Sequence, residues 1–259
     1  EEIRTTLEGR PVPAMAGEAR TVYDESLDLS DYILDPIYET DFTEPLDVVA
    51  ESALLKNGKR VIAPAAEWVL EGSGKAWTEN SRLHISNESH VVLWNTHTFP
   101  SDILVEFGFE PQDAQKGLNI LFFAATARNG GGIFEPGLAV RDGVFRNYTM
   151  GDMDAYHISY WAASRGTSNV RKNHGFFIPA TGNDLICERD AGPHTVRVLK
   201  IDGLMHLEVN GVVGLKWTDD GQTYGPVLKG GAIGLRQMRH TEEARYTHLR
   251  VWRVETRTE

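Results

Sequence analysis

Short segments in which hydrophobic and polar residues alternate recur along the chain and predict β-strands. In residues 82–86 and 102–109 the apolar side chains take every second position, which places them on one face of an extended strand. Residues 118–127 form an almost continuous apolar run, as expected of a central strand that is buried on both faces. No window has the apolar spacing of a long amphipathic helix.

Strand patterns continue through the C-terminal half of the chain, at residues 195–201, 204–209, 212–217, 232–238 and 246–254. Asp202-Gly203 and Asn210-Gly211 separate the first three of these strands. Both dipeptides favour two-residue hairpin turns, because the central positions of such turns need a positive φ. Many short antiparallel strands in 259 residues predict an all-β fold, a two-sheet antiparallel β-sandwich or jelly roll.

The N-terminal part of the chain is less regular than the rest. Pro11 and Pro13 interrupt any element there, and an acidic stretch with several Tyr and Leu residues follows. We expect residues 1–40 to form an arm that packs on the main domain, and residues 41–259 to form a single jelly-roll domain. A disordered tail is the alternative, and the Tyr and Leu content argues against it.

Composition and charge exclude several classes of function. The chain has 26 Lys and Arg against 37 Asp and Glu, a net charge of −11. An acidic surface repels phosphate, so we predict neither nucleic acid nor a membrane as partner. The single cysteine, Cys187, excludes a disulfide framework and a multi-cysteine zinc site.

Signals for location and assembly are sparse. No apolar run approaches the roughly 20 residues of a transmembrane helix. The chain begins Glu1-Glu2 without a basic-then-apolar leader, and we favour export after removal of a leader over a cytoplasmic location. The sequence does not indicate an oligomeric state.

Several catalytic signatures are absent, and the sequence predicts neither a cofactor nor a metal site. The chain has no nucleophile elbow, no His-Glu-x-x-His motif and no dinucleotide or phosphate-loop fingerprint. It also lacks the Glu-x-Asp-x-(x)-Glu strand motif of retaining jelly-roll β-glucanases. The nearest match is Asp152-Met153-Asp154.

One predicted strand carries a candidate acid–base site. Strict alternation places His157, Ser159 and Trp161 on one face and Tyr160 on the other. The His-Ser-Trp face is too polar for a sandwich core, so we expect it to point outward. An aromatic platform beside an imidazole is typical of a sugar-binding or acid–base site. The alternative is a surface strand with an ordinary hydrogen-bonded histidine.

A local cluster of positive charge follows this strand. Arg171, Lys172 and His174 are close in sequence in an otherwise acidic chain, which favours a site for an anionic group such as the carboxylate of a uronic acid. Salt bridges to the protein's own acidic residues are the alternative. On a later strand Arg236 and Gln237 point to opposite faces, so only one of them can line a cleft.

Two glycine-rich loops complete the set of candidate segments. Arg128 and Asn129 precede three glycines, which permit a tight turn or a close approach to a ligand, although a flexible loop is equally consistent. The loop at residues 219–231 is long for a hairpin, as is common at the rim of a binding cleft.

In their order along the chain these segments resemble the YesU-like family, a domain family of unknown function. The resemblance covers roughly residues 85–252. Its most specific parts are the stretch from Thr223 to Leu228 (Thr-Tyr-Gly-Pro-Val-Leu) and Arg236-Gln237-Met238. The resemblance implies a concanavalin A-like lectin/glucanase jelly roll and a carbohydrate ligand, since members tend to sit beside genes for degrading uronic-acid polysaccharides. It implies no catalytic residues.

Our first hypothesis is an enzyme that acts on uronic-acid oligo- or polysaccharides by β-elimination, as a lyase or dehydratase. Elimination needs a group that neutralises the carboxylate, a base for the C5 proton and an acid for the leaving oxygen. The candidates for proton transfer are His157, Tyr160, His174 and Tyr224. The candidates for substrate binding are Arg128, Asn129, Arg171, Lys172, Trp161, Arg236 and Gln237.

Two other functions stay open at the level of the sequence. A non-catalytic carbohydrate-binding module would use Trp161, Trp217 and Tyr224 to stack on sugar rings. A glycoside hydrolase would use Asp152 or Asp154 with a distant glutamate.

Overall fold

Sixteen β-strands carry most of the regular structure in the computed structural model, which describes residues 26–163, 165–186 and 192–257. The first eight are β1 (Tyr32–Thr40), β2 (Val48–Ala50), β3 (Leu55–Lys56), β4 (Lys59–Arg60), β5 (Trp68–Thr78), β6 (Leu83–Phe99), β7 (Ile103–Pro111) and β8 (Leu118–Ala127). The others are β9 (Met153–Ala162), β10 (Thr167–Asn173), β11 (Phe177–Asn183), β12 (His194–Ile201), β13 (Leu204–Val209), β14 (Val212–Thr218), β15 (Gly231–Gln237) and β16 (Glu243–Thr256). The helical elements are short: α1 (Arg146–Thr149) and two 3₁₀ turns, Glu51–Leu54 and Arg239–Thr241. The prediction of an all-β fold is confirmed.

The strands form two layers that face each other across the core. The front sheet has the order β11-β10-β9-β8-β15-β6-β5-β2, and the back sheet has the order β14-β13-β12-β7-β16-β1. The long strand β6 connects the layers, because residues 83–86 pair with β16 and residues 91–95 pair with β15. All of these pairs are antiparallel except β2–β5. The predicted two-sheet antiparallel sandwich is confirmed.

Aromatic and aliphatic side chains fill the space between the layers. Phe107 and Phe109 of the back sheet pack edge-on against Tyr160 of the front sheet, with ring centroids 5.0 and 5.1 Å apart. Strand β8 is buried on both faces, as its apolar run predicts: Leu121 faces this core, whereas Phe122 belongs to a second cluster on the outer face of the front sheet.

The second cluster forms because residues 128–152, which we call the covering segment, lie across part of the outer face of the front sheet. The ring of Tyr148 in α1 stacks on Trp94 at 6.5 Å and lies 5.7 Å from the ring of Phe122. Such apolar contact removes these rings from water and fixes the segment on the sheet. The part of the outer face beyond the covering segment is where a ligand can reach the sheet.

Both predicted hairpin turns are present. Asp202 and Asn210 have φ values of 48° and 52°, the left-handed conformation that Asp and Asn tolerate in such turns. In the predicted N-terminal arm, residues 32–40 form β1, which pairs with β16 at the edge of the back sheet. Residues 1–25 of that arm and Cys187 lie outside the described residues. No helix of the described part is long and apolar enough to span a membrane.

Candidate functional site

A small pocket lies on the outer face of the front sheet, at the edge of the covering segment. It is lined by Leu118, Ile120, Phe145, His157, Ser159, Arg165, Arg171 and Met238. The two half-buried members, Phe145 and Arg165, mark its mouth, and the other six are buried. Its volume of about 10 Å³ is room for about one water molecule, so the pocket suits a small polar group of a ligand.

Strand register brings the polar members of the lining together. His157 and Ser159 are alternate residues of β9, so both point to the outer face. Across the pairing with β10, His157 is opposite Arg171, and across the pairing with β8, Ser159 is opposite Ile120. Directly paired side chains of neighbouring strands lie about 5 Å apart on the same face. His157, Ser159 and Arg171 are therefore held in place by paired strands.

His157 is held firmly inside this pocket. Its ring is 1% exposed and packs against Phe122 and Phe145, with ring centroids 5.1 and 5.6 Å away. Burial, and then the positive charge of Arg171, lower the pKa of His157 well below the usual histidine value. The imidazole is therefore neutral at neutral pH.

The side-chain amide of Asn173 determines which nitrogen of His157 carries the proton. Asn173 Nδ2 donates to His157 Nδ1 at 2.9 Å, so in this orientation the ring proton is on Nε2, which acts as a donor. Asn173 Oδ1 has no hydrogen-bond partner among the described residues. A half-turn of the amide would present Oδ1 to Nδ1–H and leave Nε2 as a proton acceptor. In the orientation that the structure shows, His157 Nε2 is the donor.

Two arginines supply positive charge to the pocket. The Arg171 guanidinium lies 3.8 Å from the centroid of the Phe176 ring, and Nη1 donates to the Phe176 carbonyl at 3.4 Å. Burial, together with the charge of Arg165, lowers the pKa of Arg171 to about 9, so Arg171 is still charged at neutral pH. Among the described residues neither arginine forms an ion pair with a carboxylate. The carboxylate of Asp184 acts on Arg165 at longer range and raises its pKa, against the larger lowering effect of burial. Arg171 has no such carboxylate among the described residues, which favours an anionic ligand beside it.

The Ser159 hydroxyl is oriented by two donors. Its Oγ accepts a hydrogen bond from Arg165 Nη2 at 2.6 Å and another from the backbone N–H of Asn169 at 2.9 Å. Because both lone pairs of the oxygen are engaged, the hydroxyl proton is left to be donated to a ligand. The pocket therefore offers two guanidinium groups, a hydroxyl donor and a neutral imidazole, a set that matches a carboxylate beside a proton to be moved.

Of the predicted site residues, the structure brings His157 and Arg171 together in the pocket lining. Tyr160 is not with them, because its side chain points into the core, where its hydroxyl lies 2.9 Å from that of Tyr246. The expectation that Trp161 shares the outward face of His157 is wrong. The β8–β9 pairing is irregular between Asn119 and Ile120, and this bulge turns Trp161 inward against Phe109, with ring centroids 5.5 Å apart.

The expectation that Lys172 binds substrate is also contradicted. Lys172 Nζ lies 2.6 Å from Asp219 Oδ2 and donates to the Gly225 and Pro226 carbonyls at 2.7 and 2.8 Å. It is on the core side of β10 and anchors the loop at residues 219–231. A buried lysine with three acceptors has no remaining hydrogen for a ligand.

Tyr224 lies in that same loop, away from the pocket. Its ring packs against Phe177 at 5.2 Å and against Trp217 at 6.4 Å. Tyr224 is not part of the pocket lining, so the structure does not place it beside His157 for proton transfer.

Arg128 and Asn129 lie at the far end of β8. Arg128 has a side chain that is 53% exposed, with Nε 3.7 Å from Asp154 Oδ1, and Asn129 Oδ1 accepts from the N–H of Gly131 at 3.1 Å. Ala127, the last residue of β8, is seven positions from Ile120 in the pocket, roughly 23 Å along an extended strand. Neither residue lines the pocket.

His174, Arg236 and Gln237 are near the pocket without lining it. His174 Nε2 lies 3.1 Å from the Met150 carbonyl. Of Arg236 and Gln237, one was expected to face outward, and Arg236 does. Phe145 covers it, with its ring centroid 4.7 Å from the guanidinium carbon. Gln237 points the other way and donates to the Ile85 carbonyl at 3.0 Å.

The acidic residues proposed for hydrolysis hold backbone groups. Asp152 Oδ2 accepts from the N–H of Ala139 at 2.9 Å, and Asp154 Oδ1 accepts from the N–H of His174 at 3.2 Å. Among the residues that the structure describes, no carboxylate lines the pocket. Within the described residues no group of three or more His, Cys, Asp or Glu side chains is arranged to hold a metal ion.

Three residues of the site were not assigned by the sequence. Strand alternation places Ser159 on the correct face, but no motif in the sequence indicates a role for it. Arg165 is in the turn between β9 and β10, where no periodic pattern indicates direction. Asn173 reaches His157 because β10 returns antiparallel to β9. The signal for Ser159 and Asn173 was available in strand alternation, whereas the position of Arg165 depends on the turn.

Comparison with known proteins places the chain among uncharacterised relatives. Residues 52–251 match a family described as "Domain of unknown function (DUF1961)". The chain is similar to the uncharacterized protein YesU of Bacillus subtilis, with 39% identity over 198 residues that cover 72% of this chain and 90% of that one.

Two solved structures share the fold. A crystal structure of a protein of unknown function with a galectin-like fold from Bacillus subtilis has a TM-score of 0.73 and 34% identity, covering 87% of this chain and all of that one. A non-specific endo-β-1,3(4)-glucanase of family GH16, crystallised with a glucan oligosaccharide, has a TM-score of 0.55 and 13% identity, covering 90% of this chain and 100% of that chain. The second similarity shows the jelly-roll fold alone.

Proposed function

Since the chain belongs to the DUF1961 family, whose function is unknown, we propose a function from the chemistry of its pocket: it binds a uronic acid residue of an oligo- or polysaccharide and acts on it by β-elimination. The observation that carries this proposal is Arg171, a buried cation that lines the pocket beside Arg165 and has no carboxylate partner among the described residues. The carboxylate of a uronic acid would supply the missing negative charge.

The fold supports a sugar as the class of ligand. The glucanase that shares the jelly roll was crystallised with a glucan oligosaccharide. Phe145 stands at the pocket mouth as an aromatic surface on which a sugar ring can pack. The acidic character of the sugar rests on the two arginines alone.

The pocket contains the groups that elimination requires. Arg171 and Arg165 would neutralise the carboxylate at C5, which makes the C5 proton easier to remove. His157 Nε2 would take this proton once the Asn173 amide presents Oδ1 to Nδ1–H. As the C4–O bond breaks and the C4–C5 double bond forms, the imidazolium would return the proton to the leaving oxygen. His157 thus takes up and returns the same proton. This requires the C5–H and C4–O bonds to lie on the same face of the sugar ring.

A departing sugar would make the protein a lyase, and a departing hydroxide, protonated to water, would make it a dehydratase. Both reactions use the same groups at the same atoms. Ser159 would donate its hydroxyl proton to the carboxylate or to the leaving oxygen, because its own oxygen is already saturated by two donors.

One observation favours a second candidate, a non-catalytic carbohydrate-binding protein. In the structure Asn173 Nδ2 faces His157 Nδ1, which makes Nε2 a donor suited to hold a ligand oxygen and unsuited to remove a proton. Tyr160 and Tyr224, the other groups considered for proton transfer, are not in the lining.

The test is incubation with a panel of uronate oligosaccharides, followed by ultraviolet absorbance and product mass. An unsaturated uronate with chain cleavage supports the lyase, and loss of water without cleavage supports the dehydratase. Cleavage with a gain of water would show hydrolysis and overturn elimination. Ligands that bind without any change would leave the binding protein as the function. His157→Gln should abolish turnover, and His174→Gln, outside the lining, should retain it.

A further inference from the structure

The polar side chains that line the pocket all present hydrogen-bond donors to it. His157 Nδ1 accepts from Asn173, so the Nε2 proton is available to a ligand. The Ser159 oxygen already accepts two hydrogen bonds, which leaves its hydroxyl proton to be donated. Arg165 and Arg171 have donors only. The pocket therefore offers a ligand several N–H and O–H groups and, among these side chains, no acceptor.

Both arginines keep donors that the protein does not use. Arg171 is 3% exposed, and among the described residues it donates only through Nη1, to the Phe176 carbonyl. Arg165 donates through Nε to the Thr167 carbonyl at 2.9 Å and through Nη2 to Ser159 Oγ. Each guanidinium has five N–H groups, so several of them remain for a ligand in the pocket.

Positive charge dominates the lining. Asp184 acts on Arg165 at longer range, but its two oxygens accept from the backbone N–H groups of Ala162 and Ile186. Asp184 does not line the pocket. Since His157 is neutral, the two guanidinium groups determine the sign of the charge that a ligand meets.

The size of the pocket selects the kind of anion that fills it. Its volume of about 10 Å³ is room for about one water molecule. A water molecule can accept from two of the donors, but its own hydrogens would find no acceptor among the lining side chains. A monatomic anion accepts on every side and also balances the charge. Chloride is only slightly larger than water, so it matches this space.

The remaining lining is apolar and adds a preference among the halides. Leu118, Ile120 and Met238 form this part together with the ring of Phe145. An ion beside such side chains gives up part of its hydration, which costs more free energy for a small ion than for a larger one. Chloride and bromide should therefore bind better than fluoride.

We propose that the pocket is a halide site, which binds chloride between Arg171 and Arg165 beside the Ser159 hydroxyl. The ion would lie where the proposed function places a carboxylate oxygen. Binding of the ion does not depend on the proposed function, whereas its consequence, competition between chloride and a uronate, rests on it. Chloride at a concentration equal to its own dissociation constant leaves half of the sites empty, so it should double the apparent dissociation constant of the sugar.

Chlorine NMR measures the binding directly, because chloride held by a protein relaxes faster and broadens the signal of the free ion. We expect a broadening that saturates, with half-saturation on the order of 0.1 M, close to the physiological ionic strength of about 0.15 M. Bromide should remove the broadening, and fluoride at the same concentration should leave most of it. Broadening that does not saturate, or that fluoride removes as readily as bromide, would overturn the proposal.

Three variants locate the ion. Arg171→Gln removes the buried cation, and we expect the saturable broadening to be lost. Ser159→Ala keeps both charges but removes one donor, so it should raise the chloride concentration at half-saturation. Arg128→Gln is the matched control, since Arg128 is exposed and outside the lining, and it should leave the broadening unchanged. Full broadening in Arg171→Gln or in Ser159→Ala, with the fold retained by circular dichroism, would place the ion elsewhere.

Competition with a uronate disaccharide separates the halide site from the proposed function. Calorimetry at constant ionic strength compares sodium chloride with sodium fluoride, which changes the ionic strength without filling the site. We expect the doubling with chloride only. If chloride binds and no uronate does, the proposed function fails and the halide site stands. If the uronate binds and chloride does not, or if the two bind without competing, the halide proposal fails and the proposed function stands.

Discussion

Arg171 keeps its positive charge although its environment opposes it. Burial and the nearby charge of Arg165 both lower its pKa, to about 9, and no carboxylate among the described residues compensates. A bound carboxylate would relieve this repulsion, so the free energy of binding an anionic sugar should be concentrated in this contact. Substitution of Arg171 therefore tests the site more directly than substitution of an exposed arginine.

Replacement of Arg171 by Gln should weaken the binding of a uronate about tenfold to a hundredfold, the effect of losing a charge-assisted hydrogen bond of about 1.5–3 kcal/mol. Isothermal titration calorimetry with a uronic acid disaccharide measures it. Arg128→Gln is the matched control, because Arg128 is exposed and at the far end of β8. Equal losses in the two variants would show that the sugar binds elsewhere or through diffuse charge.

The protonation of His157 depends on Asn173. In the wild-type protein we expect His157 to stay neutral across about pH 6 to 8, because burial first and Arg171 second lower its pKa. Asn173→Asp places a carboxylate beside Nδ1, which favours the charged imidazolium and should raise the pKa of His157 toward or above its ordinary value of about 6.5. Nitrogen chemical shifts of the imidazole, measured by NMR against pH, report both the pKa and the protonated nitrogen. A wild-type midpoint near 6.5 would contradict the buried, neutral site.

The lowered pKa of His157 also affects stability. The unfolded chain binds a proton at His157 below about pH 6.5, whereas the folded protein does not. Above about pH 6.5 the burial of neutral His157 therefore does not lower the free energy of unfolding through protonation. As the pH falls below about 6.5, proton uptake by the unfolded chain lowers the free energy of unfolding.

At the scale of elements, strand alternation predicted most of the sandwich but not the orientation of every side chain. The limits of β8 and the two turns at Asp202 and Asn210 follow from hydrophobic pattern and turn chemistry. The bulge in β9 lies beyond that pattern, because one extra residue reverses the faces that follow it. His157 precedes the bulge and lies on the predicted face, whereas Trp161 follows it and points into the core.

The basic cluster of Arg171, Lys172 and His174 shows another feature of the structure that the sequence predicts only in part. Arg171 and Lys172 are neighbours in a strand, so their side chains must point to opposite faces. Only Arg171 faces the pocket, and Lys172 is neutralised by Asp219, which is 47 positions away. Alternation alone separates the two residues, but the partner of Lys172 depends on how the loop at residues 219–231 folds back over the sheet.

The covering segment should depend on Glu71 for its stability. Glu71 is fully buried and joins Arg141 of the segment to Arg60 and Trp94. Glu71→Gln keeps the shape but leaves two buried guanidinium groups with less negative charge, and we expect the free energy of unfolding to fall by about 3 kcal/mol or more. Urea denaturation followed by tryptophan fluorescence measures this change.

Glu39→Gln provides the comparison for that measurement. Glu39 lies 2.7 Å from Arg250 on the surface, with a side chain that is 61% exposed, and an exposed pair of this kind contributes about 0–1 kcal/mol. If the two variants lost similar stability, the ion pairs under the covering segment would not be what holds it.

For the whole molecule, the net charge of −11 and an acidic ligand are compatible only if the charges are separated in space. The acidic residues outnumber the basic ones overall, yet the pocket lining, as far as the structure describes it, contains two arginines and no carboxylate. Repulsion from distant surface charges is screened beyond about 8 Å at physiological ionic strength. The contact of a buried guanidinium with a carboxylate is screened much less.

Added salt weakens both the repulsion by the acidic surface and the attraction in the pocket. Because these two changes have opposite effects on binding, the affinity should be nearly constant. Between about 0.02 and 0.3 M ionic strength, salt weakens the long-range repulsion of the acidic surface and slightly weakens the contact in the pocket. We expect the dissociation constant of a uronate disaccharide to change less than about threefold over this range, a free-energy change below about 0.7 kcal/mol. Calorimetry at several salt concentrations tests it, with the neutral disaccharide of the same linkage as the control. A loss of affinity greater than about tenfold would mean that exposed charges, screened freely by salt, hold the ligand, and it would remove the buried pocket as the site of recognition.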